Sequence, residues 1–269
     1  MDERYVRDGG IQEPHGKVLN MAFPVARLAV TTAVILSLPA GVSAQRGAGQ
    51  PPAAARAAAP IDLTGYWVAE ITEDWRWRMV TPAKGDYQSI PITPAAQKVA
   101  DAWDPAKDEA AGEQCKSYGA PGLMRAPTRL HVTWLDENTL RVEADHGMQT
   151  RLLHFGSWTS PGGAPTLQGE SVARWQTPGG RGARGGTLVV ETSRLRPGYL
   201  RKNGVPYGAE ATMTEYWDRI DEPSGEQRIL LLLVVQDPVY LQQPWIVPVH
   251  FKKEPDGAKW DPTPCSAKF

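Results

Sequence analysis

The chain has 269 residues and a formal charge of −1, from 29 basic and 30 acidic side chains, with 26 glycines, 24 prolines, two cysteines and ten tryptophans. Both signs of charge are interspersed and no basic stripe stands out, which argues against nucleic acid or an anionic membrane surface as the main partner. No transmembrane run, heptad array or repeat of solenoid period is present.

Residues 21–44, MAFPVARLAVTTAVILSLPAGVSA, read as a removable export signal. A positive charge at Arg27 precedes an apolar run from Leu28 to Leu38, Pro39 breaks the helix, and Val42-Ser43-Ala44 supplies small residues for a signal peptidase. The run is about half the length that spans a bilayer. The expected product is therefore a periplasmic or secreted protein with no stable membrane insertion once residues 1–44 are removed. The polar stretch ahead of Met21 is either an over-extended start or a long n-region. Residues 45–60, QRGAGQPPAAARAAAP, have the composition of a tether. Residues 61–269 are then expected to form a single domain, large enough for a continuous core.

Thr64 to Thr72 opens this domain as a strand, and Trp75 to Val80 is expected to continue or pair with it. Gly85 to Ile92 reads as a loop or a short edge strand. Thr93 to Trp103 is the best helix, with Thr93 as cap, Pro94 at the first position, and Val99 and Trp103 on one face. A second short helix is expected over Pro105–Tyr118, ending at Gly119 with Cys115 on its last turn.

From Thr128 to Phe155 the alternation is clear enough to fix a register. A loop of Asp136, Glu137 and a left-handed Asn138 pairs Trp134 with Leu140 and Val132 with Val142. It also sets Arg129 opposite Asp145, His131 opposite Glu143 and Thr133 opposite Arg141, so apolar and charge matching agree. His146-Gly147 turns the chain into Gln149–Phe155 through a loop of two or three residues. Further strands are expected at Glu170–Gln176, Thr187–Ser193, Ala211–Ile220, Arg228–Gln236 and Trp245–Lys252. The run ILLLLVV in Arg228–Gln236 is apolar on both faces and predicts a central strand under cover. Pro248 pushes the last strand toward an edge or a bulge. The sum is a mainly β fold, an antiparallel barrel or strongly curved sheet with one or two short helices.

Cys115 and Cys265 both lie in the mature region, and an exported chain meets an oxidising space. A disulfide between them would close a loop of roughly 150 residues, worth about 5 kcal/mol in the chain-entropy model. Two distant cysteines with no neighbouring histidine do not make a zinc site, and no metal is expected.

Asp62-Leu63-Thr64-Gly65-Tyr66-Trp67 resembles the Gly-x-Trp opening strand of lipocalins and other calycins, and Thr214-Glu215-Tyr216 resembles their later Thr-Asp-Tyr signature. That resemblance implies a ligand-binding barrel plugged at one end by Trp67. The chain also resembles a group of uncharacterised exported bacterial proteins that open on LTGxW, carry a central Cys before an MR-P element, and end on DPxxYxxPW before a terminal Cys. Here these are Cys115, Met124-Arg125-Ala126-Pro127, Asp237 to Trp245, and Cys265. A Cys at both ends of that pattern fits the proposed disulfide.

Tryptophan joins a large apolar face to one N–H donor and suits pockets for flat or amphipathic ligands. If Trp75-Arg76-Trp77-Arg78 is a strand, its two Trp share one face and its two Arg the other. The first face can stack sugars or aromatic rings, and the second can hold a carboxylate or sulfate. A half-buried strand with a solvated Arg face is the plainer alternative. For proton transfer the register offers His131 with Glu143, with Arg129, Asp145 and Arg151 around them. That face is expected to point to water, because Leu130, Val132, Leu140 and Val142 occupy the other. Tyr216, beside Glu215 and Asp218, and His154 are further candidates, whereas His250 reads as structural. Two loops, Arg196–Gly204 and Met124–Pro127, are placed to rim a pocket for an anionic ligand. No Gly-x-Ser-x-Gly elbow, phosphate loop, His-Glu-x-x-His or dinucleotide fingerprint occurs, so no cofactor is expected. Gly179–Gly186 reads as a glycine-rich loop.

The leading expectation is an exported barrel that binds a small aromatic or amphipathic molecule with an anionic group. Trp67, Trp75 and Trp77 would give apolar surface, and Arg76, Arg78 and Arg125 the positive charge. The alternatives are a cofactor-independent isomerase, cyclase or lyase using His131 and Glu143 or Tyr216, and a carbohydrate-binding module using Trp75 and Trp77.

Overall fold

The computed structural model describes residues 53–179 and 185–267. The expected export signal and the centre of the glycine-rich run lie outside the described residues.

In chain order the elements are β1 (Gly65–Glu70), α1 (Trp75–Arg78), α2 (Pro94–Asp101), α3 (Pro105–Ala110), a 3₁₀ turn (Lys116–Tyr118), α4 (Ala120–Leu123), β2 (Arg129–Trp134), β3 (Thr139–Ala144), β4 (Gln149–Phe155), β5 (Glu170–Gln176), β6 (Thr187–Ser193), β7 (Gly198–Arg201), β8 (Val205–Tyr207), β9 (Thr212–Asp221), β10 (Gln227–Gln236) and β11 (Trp245–Glu254). Nine strands close a barrel in the order β1-β11-β10-β9-β6-β5-β4-β3-β2, and β7 and β8 form a separate two-stranded ribbon. An odd number of strands cannot alternate direction all the way round a ring, so at least one neighbouring pair must be parallel. That seam is β4 against β5, paired only over Leu153–Phe155, and every other contact is antiparallel. The barrel is therefore mixed and not purely antiparallel.

The β2–β3 register is the one that alternation dictates: Val132 opposes Val142, His131 opposes Glu143 and Trp134 opposes Leu140. Asn138 does not take a left-handed conformation. Its amide instead donates to Asp136 Oδ1, and its own Oδ1 accepts from the Ala55 amide at 2.9 Å. The β3–β4 turn is longer than expected, running from Asp145 to Met148, with Gly147 and Met148 both at positive φ. Residues 53–60, expected as a free tether, pack on the barrel: the Arg56 amide donates to Glu137 O, and Trp175 Nε1 donates to Ala55 O. The helix at Thr93 forms as expected, its hydroxyl accepting from the Ala96 amide. The second helix stops at Ala110 because Gly112 takes a positive φ, and Cys115 lies just ahead of the 3₁₀ turn.

Inward side chains fill the barrel. Trp67, Leu130, Val132, Leu140, Val142, Leu153, Trp217, Leu231, Leu233 and Phe251 are all buried. β10 is paired on both sides, but among the described residues its outward row is only partly covered: Leu230 and Val234 are half-buried and Leu232 is 38% exposed. Pro248 sits beyond the end of the β1–β11 pairing and opposite Leu232 of β10, so the strand is paired on one side only at this position. Among the inward residues lies one ion pair: Arg151 on β4 donates to both Glu215 oxygens on β9, at 2.8 and 2.5 Å. Thr192 Oγ1 on β6 accepts from Arg151 at 3.3 Å and lies 2.8 Å from Ser171 Oγ on β5. This polar network laces the parallel seam together from inside.

After β11 the chain runs back over the outer wall. Trp260 meets Tyr66 and His131 edge-on, Thr263 bridges to His146, and Cys265 is joined to Cys115 by a disulfide with Cα atoms 5.1 Å apart. Among the described residues no helix is long and apolar enough to cross a membrane.

Candidate anion site at one end of the barrel

Strand directions put three long connections, residues 71–128, 194–211 and 237–244, at one end of the barrel; the four-residue turn 145–148 lies at the same end. The opposite end carries the hairpin turns after β2 and β9. Residues of 71–128, 145–148 and 194–211 enclose a recess of about 110 Å³, and no barrel strand contributes to its walls.

Three arginines from three different segments line it. Arg78 ends the single helical turn α1, which starts from Asp74 in a left-handed conformation at φ 50°. Its Nε donates to Arg125 O at 2.9 Å, and its Nη1 to Glu73. Arg125, just after α4, donates from Nη1 to Asp74 Oδ2 at 3.1 Å and lies 4.8 Å above the Trp245 ring. Arg201, at the end of β7, donates from Nη2 to Gln88 O and Ser89 Oγ and sits over the Trp77 ring at 5.6 Å. All three are buried, with exposures of 6%, 5% and 5%. Each nevertheless leaves one buried nitrogen with no acceptor: Arg78 Nη2, Arg125 Nη2 and Arg201 Nε. A buried donor without a partner costs about 1–3 kcal/mol, more when charged, and these three side chains each carry one inside the packing behind the recess.

Burial is the first cause that weakens the hold of each guanidinium on its proton, and the crowding of like charges adds to it. Arg78 and Arg201 are brought down to about 10, both pressed by Arg125, and Arg125 itself is lowered by burial. All three stay charged at neutral pH. Lys202 and His146 complete the cationic wall, with Lys202 Nζ 2.8 Å from His146 Nε2. Burial lowers Lys202 to about 8, and burial together with the Lys202 charge lowers His146 to about 4. His146 is thus neutral near pH 7, and its Nε2 accepts from Lys202. No carboxylate lines the recess. The charged groups on its wall are all positive, which is the electrostatic signature of an anion site.

Of the residues expected to bind ligand, Trp77, Arg78 and Arg125 lie here, and the two loops expected to rim a pocket both contribute. Trp67, Trp75 and Arg76 do not. Trp67 is fully buried with Nε1 donating to Leu63 O, Trp75 is 66% exposed on the outside, and Arg76 pairs with Asp86 at 2.9 Å. The reason is local. Trp75–Arg78 is a helical turn and not a strand, so its four side chains point in four directions and no Trp-x-Trp face exists.

His131 and Glu143 do meet, Nδ1 to Oε2 at 3.2 Å, but on the outer wall. There the imidazole stacks on Tyr66 at 4.2 Å, and Glu143 also engages Arg141. Arg151 is not beside them, since it points into the barrel interior. Tyr216 faces outward between Val189 and Leu232. His146, which sequence reasoning took only as a turn residue, is part of the recess. Its adjacency to Lys202 is purely tertiary, so no local pattern signals it. Among the described residues no group of three or more His, Cys, Asp or Glu is placed to hold a metal ion.

Comparison with protein-family models, with curated proteins and with solved structures finds no match.

Proposed function

We propose that this is an exported, periplasmic or secreted small-molecule-binding protein that takes the anionic group of its ligand in the arginine recess at the end of the barrel. The observation that carries the reading is the convergence of three buried guanidinia, Arg78, Arg125 and Arg201, with Lys202 beside them, on one small recess without a carboxylate. Burying three guanidinia close together is costly, and an anion in the recess offsets their mutual repulsion. The export segment and the disulfide support the compartment. The packed interior favours the end of the barrel over its lumen as the binding place. Binding is favoured over catalysis because His131 and Glu143 are held on the outer wall by Tyr66 and Arg141, away from the recess.

Isothermal titration of the oxidised protein with acetate, oxalate, phosphate and sulfate tests the reading. At least one of them should bind to wild type and lose about tenfold or more in Arg125→Gln and in Arg201→Gln, the scale of one charge-assisted bond. No binding by any of the four at millimolar concentration would refute it.

A further inference from the structure

The rim of the recess separates an aromatic ligand from an aliphatic one. Trp77 is the only aromatic ring besides His146 on the lining, and it is already occupied. Arg76 lies 5.2 Å and Arg201 5.6 Å from its ring centre, and its Nε1 points to the Asp86 carboxylate. Trp245, behind Arg125, has that guanidinium over its ring. A flat ligand would have to displace cations from these faces in order to stack. The open apolar surface is aliphatic instead. Met79 and Val80 line the recess while remaining 57% and 68% exposed, and Pro82 and Pro127 continue the same lining. The recess proper, at about 110 Å³, is far below the roughly 300–1,000 Å³ that encloses a drug-sized molecule. It holds a head group, and any remainder of the ligand lies across the rim.

Resting on the anion-binding reading above, we infer that the ligand is a single-chain anionic amphiphile, with its carboxylate or phosphate head on Arg78, Arg125 and Arg201 and its alkyl chain over Met79 and Val80. A free amphiphile and not a bilayer is its source, because the chain as a whole carries −1 and has no basic stripe to hold an anionic surface. Binding involves no covalent step. The head sits against a wall whose charged groups are all positive, and the chain removes exposed methionine and valine surface from water.

Titration calorimetry with decanoate and decyl phosphate below their aggregation concentrations, set against acetate and inorganic phosphate, tests this. Each decyl compound should bind at least about tenfold tighter than its short counterpart, the gain expected from taking about two methylenes out of water. The double variant Met79→Ser with Val80→Ser changes only exposed side chains. It should remove that gain and leave acetate and phosphate binding unaltered. Equal affinity of the long and short compounds overturns the amphiphile while the anion site stands, and so does a chain gain that survives the double variant. Failure of all four compounds overturns the proposed function itself. Pelleting of the protein with phosphatidylglycerol vesicles overturns the free amphiphile as source, whereas monomer binding without pelleting supports it.

Discussion

The ion pair inside the barrel gives the sharpest test of how this fold is held. Arg151 and Glu215 are 1% and 0% exposed and share two hydrogen bonds. Glu215→Leu leaves a guanidinium in the interior with only Thr192 Oγ1, at 3.3 Å, as an acceptor. Removing one partner of a buried pair costs about 3–5 kcal/mol, whereas replacing both by apolar groups of similar volume is often neutral or stabilising. The expectation is therefore a loss of about 4 kcal/mol in Glu215→Leu and near wild-type stability in Arg151→Met with Glu215→Leu. With a urea slope of about 2.5 kcal/mol/M for a domain this size, the single variant should unfold at about 1.5 M less urea than wild type. Equilibrium urea unfolding of the oxidised protein reads the shift, with tryptophan fluorescence and far-ultraviolet dichroism as paired probes. Trp217 lies two residues from Glu215 on the same inward face, one of ten tryptophans whose summed fluorescence follows global unfolding. A single variant that loses less than about 1 kcal/mol, or a double variant as unstable as the single, would refute the reasoning that the unpaired charge carries the cost.

Other expectations follow from the same structure. Replacing Cys115 and Cys265 by Ser should lower stability by up to about 5 kcal/mol, and it should weaken anion binding because the tail they anchor bridges to His146 through Thr263; melting and titration with and without reductant check both. Anion affinity should fall as pH rises through about 8, since Lys202 loses its charge there, and calorimetry from pH 6.5 to 9.5 would show a flat profile if Lys202 played no part. His146, lowered to about 4 in the fold against about 6.5 unfolded, makes the unfolded chain the stronger proton binder between those values. Its contribution to stability is therefore complete above about 6.5 and lost as pH falls to about 4. Substituting His146 by Gln should flatten the urea midpoint across that window. Gly204→Ala should destabilise by about 2 kcal/mol or more, because Gly204 has φ +84° and a Cβ would stand 2.3 Å from Trp103 Cγ; a thermal melt matching wild type would count against it.

The barrel was legible where side chains alternate against a single environment. From Arg129 to Ala144 the inward apolar row and the outward charged row agree on one register, and the backbone follows it. The seam was not legible, because the parallel contact of β4 with β5 comes from the arithmetic of closing an odd ring and not from anything local to either strand. Trp75–Arg78 misled for a specific reason: alternating Trp and Arg mimic a strand, while the turn is set by Asp74 at positive φ and by the Arg125 carbonyl that receives Arg78. Arg228–Gln236 showed the converse, since its apolar outer row is only partly covered by the described residues. Of the recess, Arg78, Arg125 and the Arg196–Gly204 loop could be nominated from charge and turn chemistry. That they face one another, with His146 and Lys202 beside them, depends on three separate connections meeting over one end of the barrel.

The parallel seam also determines how this ring can loosen. Every other neighbour in the barrel is paired antiparallel, and many of those neighbours are tethered by a short turn, but β4 and β5 meet along three residues and are linked only by the long crossing of residues 156–169. A slit there would leave a continuous nine-stranded sheet with every hairpin intact. What fastens the slit is the clasp of Arg151 to Glu215 with Thr192 and Ser171, whose charged members would be the first interior groups to gain water if it opened. The bond that is expensive to bury is thus also the one whose release is cushioned by solvent. Amide exchange in this protein should accordingly begin at Leu153–Phe155 and Ser171–Ala173 and spread around the wall from that line.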